Sequence, residues 1–161
     1  MQTIEGTSSA KGFRFALVVS KYNDFVTDRL QTGAVAALTA AGVDAQHITV
    51  VRVPGAFEIP IAAQQAARSG KFDAVVCLGC VIRGDTPHFE YIASAVSHGI
   101  ANASAATGIP IAFGVLTTNS IEEAVERACE GTSNKGWEAA AAAIEMAGVI
   151  AQLARGDGPA K

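Results

Sequence analysis

Ala74-Val75-Val76-Cys77-Leu78-Gly79-Cys80-Val81-Ile82-Arg83-Gly84-Asp85-Thr86-Pro87-His88-Phe89-Glu90-Tyr91 joins an apolar run to a polar turn and then to a helix start. The run Ala74 to Ile82 is almost wholly apolar, which suits a strand covered on both faces. Gly84 lets the chain bend, Thr86 is placed to cap a helix, and Pro87 suits its first position. His88 then stands at the mouth of that helix, where free N–H groups favour an anion. An anion cradle and a group that titrates near neutral pH thus fall within a few residues, a pairing no core segment needs.

The same strand-to-helix rhythm extends in both directions. Phe13 to Ser20 reads as a strand, followed by Phe25, Val26, Leu30, Ala34, Ala37, Leu38 and Ala41 at helical spacing, with Gly42 as the stop. Ile48 to Val53 is the next strand and Phe57 to Arg68 the next helix, ended by Gly70. After Ala74 to Ile82 comes a helix from about Pro87 to Ala106, then a strand from Pro110 to Leu116. Ser120-Ile121-Glu122-Glu123 has the form of a capping box opening a helix with Ile121, Ala124, Val125 and Ala128 on one face. A final helix runs from about Asn134 to Leu153. This alternation predicts a single α/β domain over residues 1–161: a three-layer α/β/α sandwich around a four-stranded parallel sheet, flavodoxin-like in outline. Residues 1–10 form an N-terminal arm and Gly156 to Lys161 a frayed tail.

Composition narrows the partners. The chain has 161 residues, half of them hydrophobic but only 6% aromatic, so the core is built from Ala, Val and Ile. A formal net charge of -3 argues against a nucleic-acid partner. Gly, Arg, Asp or His interrupts every apolar run before membrane-spanning length. Met1-Gln2-Thr3-Ile4-Glu5-Gly6 has no basic segment leading into an apolar stretch, so a cytoplasmic protein is expected.

Cys77, Cys80 and Cys129 are too few for a disulfide framework. Cys77-Leu78-Gly79-Cys80 matches a C-x-x-C pattern, but redox pairs of that kind sit at a helix N-terminus. Inside a strand, a spacing of three puts the two side chains on opposite faces. Buried, unpaired thiols are expected, and the scattered histidines complete no metal site.

In an open parallel sheet, ligands bind beyond the carboxyl ends of the strands. Those ends are Ser20 to Asn23, Pro54 to Glu58, Arg83 to His88, and Phe113 to Asn119. They bring an aromatic ring, a carboxylate, an anion-binding turn and an imidazole to one edge, as an anionic organic ligand requires. His47 and His98, one before a strand and one within a helix, read as structural.

Tyr22-Asn23, Val53-Pro54-Gly55-Ala56-Phe57-Glu58-Ile59-Pro60, the Gly79-to-Tyr91 run, Phe113-Gly114-Val115-Leu116-Thr117-Thr118 and Asn134-Lys135-Gly136 together resemble the lumazine synthase family, in order and over nearly the whole chain. The resemblance implies condensation of 5-amino-6-(D-ribitylamino)uracil with 3,4-dihydroxy-2-butanone 4-phosphate to 6,7-dimethyl-8-ribityllumazine, phosphate and water. It implies no metal and no organic cofactor.

Residue roles follow from the same resemblance. Tyr22 stacks on the uracil ring; Ala56, Phe57 and Glu58 hold the ribityl chain; Cys80, Val81 and Ile82 meet the pyrimidine edge through main-chain groups. Asp85 and Thr86 bind phosphate, Asp85 through its amide with the carboxylate turned to solvent. Arg127, which by spacing alone suits surface ion pairs with Glu123 and Glu130, reaches the phosphate instead, across a subunit boundary. Phe113 belongs to the substrate-binding set. Lys135, a cation in the first turn after the N-cap Asn134, is electrostatically misplaced for its own helix and takes an accessory role. His88 is the expected proton shuttle.

The family forms pentamers, some closing into sixty-subunit icosahedral shells, with sites between neighbouring subunits. Thr3-Ile4-Glu5 would add as a strand to an adjacent sheet, and the short Arg127-to-Asn134 connection is compatible with the shell-forming type. The run Ala139 to Ala143 suits either a core stripe or close helix contact between copies. Trp137 stands where the resemblance calls for a smaller residue. Two further readings stay open. A flavodoxin-like binding module needs a Ser/Thr/Gly-rich loop after the first strand, unlike Ser20-Lys21-Tyr22-Asn23-Asp24. A purely structural shell protein needs interfaces but no ordered site edge.

Overall fold

The computed structural model describes residues 1–155, so the tail expected at Gly156 to Lys161 lies outside the described residues. Four strands, β1 (Phe15–Ser20), β2 (Ile48–Val53), β3 (Ala74–Ile82) and β4 (Ile111–Thr118), pair in the order β2-β1-β3-β4, and every pairing is parallel. Five helices connect or flank them: α1 (Asp24–Ala40), α2 (Ile59–Arg68), α3 (His88–Thr107), α4 (Ile121–Arg127) and α5 (Lys135–Ala154).

Alternation along the strands splits the core in two. Phe15, Leu17, Val19, Val76, Leu78 and Cys80 face α1, α4 and α5, meeting Leu30, Ala124, Ala140 and Ile144. Ala16, Val18, Val75, Cys77 and Val115 face α2 and α3, meeting Ile59, Ala63, Val96 and Ile100. This is the expected three-layer sandwich. Cys77 and Cys80 fall on opposite sides of the sheet, both buried and free, while Cys129 is exposed.

The small residues let the layers approach. A Cβ on Gly136 would strike the Leu30 carbonyl of α1, so α5 can cross α1 this closely only with glycine there. Asn134 secures that crossing from a buried position. Its Oδ1 accepts from the N–H groups of Gly136 (2.7 Å) and Trp137 (3.2 Å), and its Nδ2 donates to the carbonyls of Arg29 (3.1 Å) and Cys129 (2.9 Å). Gly42, with φ of 92°, ends the first helical segment as its spacing predicts.

Element ends differ from expectation in instructive ways. β1 starts two residues later than Phe13, and β4 runs Ile111–Thr118 rather than Pro110 to Leu116 because it stays in register with β3 to its end. Ala56–Glu58 is a separate 3₁₀ turn before α2. Thr86 does not cap α3: Pro87 occupies the N-cap and no side chain closes the first turn, so the helix starts one residue later than the Thr-Pro pattern suggests. The capping box forms by half. Ser120 Oγ accepts from Glu123 N at 3.2 Å, but Glu123 reaches past Ser120 to Asn119 N at 3.1 Å.

Thr3, Ile4 and Glu5 join no strand of this sheet. The arm leans on α5 of its own chain, where Gln152 Nε2 donates to the Glu5 carbonyl at 2.6 Å and Gly6 packs against the backbone of Glu145. No helix among the described residues is long and apolar enough to cross a membrane.

Candidate functional site

In a parallel sheet whose strand order reverses between β1 and β3, the two connections leave in opposite directions and open a crevice at the carboxyl ends. A cavity of about 520 Å³ occupies that place. From β1 come Tyr22 and Asn23; from the loop after β2 come Gly55, Ala56, Phe57 and Glu58. The end of β3 contributes Cys80, Val81 and Ile82, and the turn into α3 contributes Gly84, Thr86, His88 and Phe89. Ile92 and Ile121 complete the wall.

Backbone hydrogen bonds carry the pairing past the strand ends and aim these loops. Lys21 N donates to the Val53 carbonyl at 2.8 Å and Tyr22 N to that of Pro54 at 3.1 Å, which sets Tyr22 beside the Gly55–Glu58 turn. The Tyr22 ring is 73% exposed, so a flat face is free for stacking. Glu58 is half-buried within the turn, a carboxylate able to accept from hydroxyls. Asn23 takes a left-handed backbone (φ 61°) and donates from Nδ2 to the Cys80 carbonyl at 2.9 Å. Burial pushes the Cys80 thiol up to about 11, so it stays a neutral wall of the cavity rather than a nucleophile.

The expected residues divide into groups. Tyr22, Ala56, Phe57, Glu58, Cys80, Val81, Ile82, Thr86 and His88 converge on this one cavity. Asp85 lies on the outer side of the same turn, in a shallow depression with Arg83, Pro87, Glu90 and Tyr91. Phe113 and Lys135 line a different cleft along the β4 edge, and Lys135 Nζ pairs with Glu138 at 2.9 Å. Arg127 lines neither place. Its Nη1 donates to the Glu123 carbonyl at 3.2 Å and lies 4.0 Å from the Glu123 carboxylate, the surface pairing that its spacing suggests.

Sequence reasoning missed Asn23, Phe89, Ile92 and Ile121 as wall residues. The i, i+4 spacing of His88 and Ile92 on one helix face was an available signal. Ile121 reads in sequence as part of the apolar face of α4 with Ala124, Val125 and Ala128, but it is half exposed and lines the cavity instead.

The family model described as 6,7-dimethyl-8-ribityllumazine synthase matches residues 12–151. The chain belongs to that family. It is 56% identical over 149 residues to the 6,7-dimethyl-8-ribityllumazine synthase of Syntrophus aciditrophicus (strain SB), covering 92% of this chain and 97% of the relative. It is 53% identical over 150 residues to the protein of the same name from Desulfatibacillum aliphaticivorans, covering 93% and 97%. As a lumazine synthase family member the chain is a transferase of riboflavin biosynthesis. Three of the motifs that carried the resemblance, Tyr22-Asn23, Val53 to Pro60 and Gly79 to Tyr91, supply this cavity.

Proposed function

We propose that the cavity at the carboxyl edge is where this chain condenses 5-amino-6-(D-ribitylamino)uracil with 3,4-dihydroxy-2-butanone 4-phosphate. The observation that carries the reading is the convergence of Tyr22, Glu58 and His88, from three separate loops, on one cavity of about 520 Å³. Tyr22 supplies the stacking face for the pyrimidine, the Gly55–Glu58 turn takes the ribityl hydroxyls, and main-chain groups of Cys80 to Ile82 meet the ring edge. The turn at Asp85 and Thr86 takes the phosphate.

The amine of the ribitylaminouracil attacks the ketone carbon, forming a C–N bond as the carbonyl oxygen gains a proton. Loss of that oxygen as water gives an imine. A proton leaves the carbon beside the imine as phosphate leaves the next carbon with the C–O electron pair, the enol so formed tautomerises to a ketone, and the second amine condenses with that ketone, closing the ring with loss of a second water. His88 shuttles protons in these steps, which an imidazole can do near neutral pH. Both substrates are intrinsically reactive, so holding them together supplies much of the acceleration. No step calls on a metal or an organic cofactor.

Phe113, Lys135 and Arg127 act from a neighbouring copy. Their positions outside the cavity of their own chain support that assignment, as does the open side of the cavity. A homo-oligomer follows, a pentamer or a sixty-subunit shell, working in the cytoplasm without nucleic-acid or membrane partners. The deciding experiment mixes the two substrates with purified protein and follows lumazine fluorescence. A rate above the uncatalysed one supports the reading, and a rate equal to it sinks the reading in favour of a binding or shell-forming role. Light scattering separates the pentamer from the shell.

A further inference from the structure

We infer that Arg83 is a positioning residue that pins the His88 turn at both of its ends. The inference rests on the reading of the cavity given above and adds a residue that does not itself line it. Arg83 follows directly on β3, and its N–H donates to the Thr118 carbonyl at 2.8 Å, carrying the β3–β4 ladder one residue further. Its side chain then turns to three partners. Nε donates to Asn119 Oδ1 at 2.9 Å, Nη1 bonds Glu90 Oε1, and the guanidinium carbon lies 4.6 Å from the centre of the Phe89 ring. Asn119 directly follows β4, whereas Phe89 and Glu90 lie in the first turn of α3.

One planar group therefore clamps the sheet edge to the helix start, and Gly84 to His88 form the span between. The α3 N-terminus lacks a side-chain cap, so the clamp supplies the fixing that Thr86 does not. An ion pair half exposed on both sides, as Arg83 and Glu90 are, adds little alone. Three contacts on one fork share the ordering of a single side chain, and only guanidinium offers that planar set of donors with a stacking face. Glu90 also balances the Arg83 charge, so this arginine holds the turn and does not serve as the phosphate's cation.

His88 lies inside the clamped span and lines the cavity. A shift of about an ångström in a reacting geometry costs on the order of 10²-fold in rate. Tyr22 and Glu58 sit on other loops and stay in place when the clamp opens. Arg83→Ala is thus expected to lower kcat/KM for the phosphorylated ketone by roughly 10- to 100-fold, with the Kd of the ribitylaminouracil changed less than about twofold. Arg83→Lys keeps the charge but loses the fork and is expected to fall near Arg83→Ala.

The test measures both constants for the parent, Arg83→Ala, Arg83→Lys and Glu90→Gln, together with deuterium exchange of the amides from Gly84 to Glu90 in the unliganded protein. Faster exchange confined to that turn, with the Val75 to Leu78 amides still protected, supports the clamp. Unchanged exchange, an Arg83→Lys variant equal to the parent, or equal weakening of both substrates overturns it. A parent that makes no lumazine above the uncatalysed rate removes the functional reading, and the exchange arm still decides whether the clamp exists.

Discussion

The side-chain amide of Asn23 donates to the main-chain carbonyl of Cys80 across 2.9 Å, joining the residue before α1 to the floor of the cavity. Asn23 is the only non-glycine residue with positive φ among the described residues, at 61°. Asparagine tolerates that conformation better than most residues, and here its side chain also provides the bond that holds it there. The turn so fixed carries Tyr22 into the cavity.

Substitutions at Asn23 separate the two contributions. Asn23→Ala loses the bond and keeps the unfavourable backbone, whereas Asn23→Gly loses only the bond. Urea unfolding should show Asn23→Ala less stable than Asn23→Gly by about 1 kcal/mol. Both variants should raise the Kd of the pyrimidine substrate, because each frees the turn behind Tyr22. Equal stabilities would refute the backbone argument.

Asn134 should prove the most sensitive polar residue of the fold. Asn134→Ala removes an N-cap and leaves the carbonyls of Arg29 and Cys129 without their donor. The expected cost is about 3 kcal/mol, seen as a fall in Tm of roughly 6–12 °C. Asn134→Asp keeps the cap but not the donors, and should lie between the variant and the parent.

The thiols give a pH-dependent signature. Burial raises Cys77 and Cys80, the latter from an ordinary 9.0 to about 11. The folded form therefore holds its proton where the unfolded chain has released it. The Cys80 contribution is complete below about pH 9 and is lost as pH rises to about 11, on the order of 2–3 kcal/mol. Cys80→Ala should flatten the fall in stability over that window. In a thiol-modification assay near neutral pH, Cys77 and Cys80 should react only as fast as the protein unfolds, and Cys129 sooner.

Two substitutions probe the chemistry. His88→Ala should retain appreciable activity, with a loss of about tenfold at neutral pH, small for a general acid–base residue because positioning is left intact. Steady-state rates equal to the parent's would remove the proton shuttle. Arg127→Ala should raise KM for the phosphorylated ketone while the pyrimidine Kd stays put, the pattern expected when a phosphate contact from a neighbouring copy is lost.

Much of this molecule is written in short-range terms. The apolar runs at Ile48 to Val53 and Ala74 to Ile82, the stops at Gly42 and Gly70 and the cap at Asn134 are near-neighbour effects of periodicity and turn chemistry, and the strand–helix alternation they impose dictates a parallel sheet with a cavity at its carboxyl edge. What packing alone decided lies in contacts between residues far apart in the chain. Asn23 meets Cys80 across 57 residues and Asn134 meets Arg29 across 105, and neither partner is encoded beside the other. The same holds for the absent Thr86 cap, replaced by the Arg83 clamp, and for Phe113, Lys135 and Arg127 lying away from the cavity their motifs suggested. Local sequence sets which backbone conformations are cheap, whereas the direction of a side chain is settled only when the layers close and each polar group must find a partner.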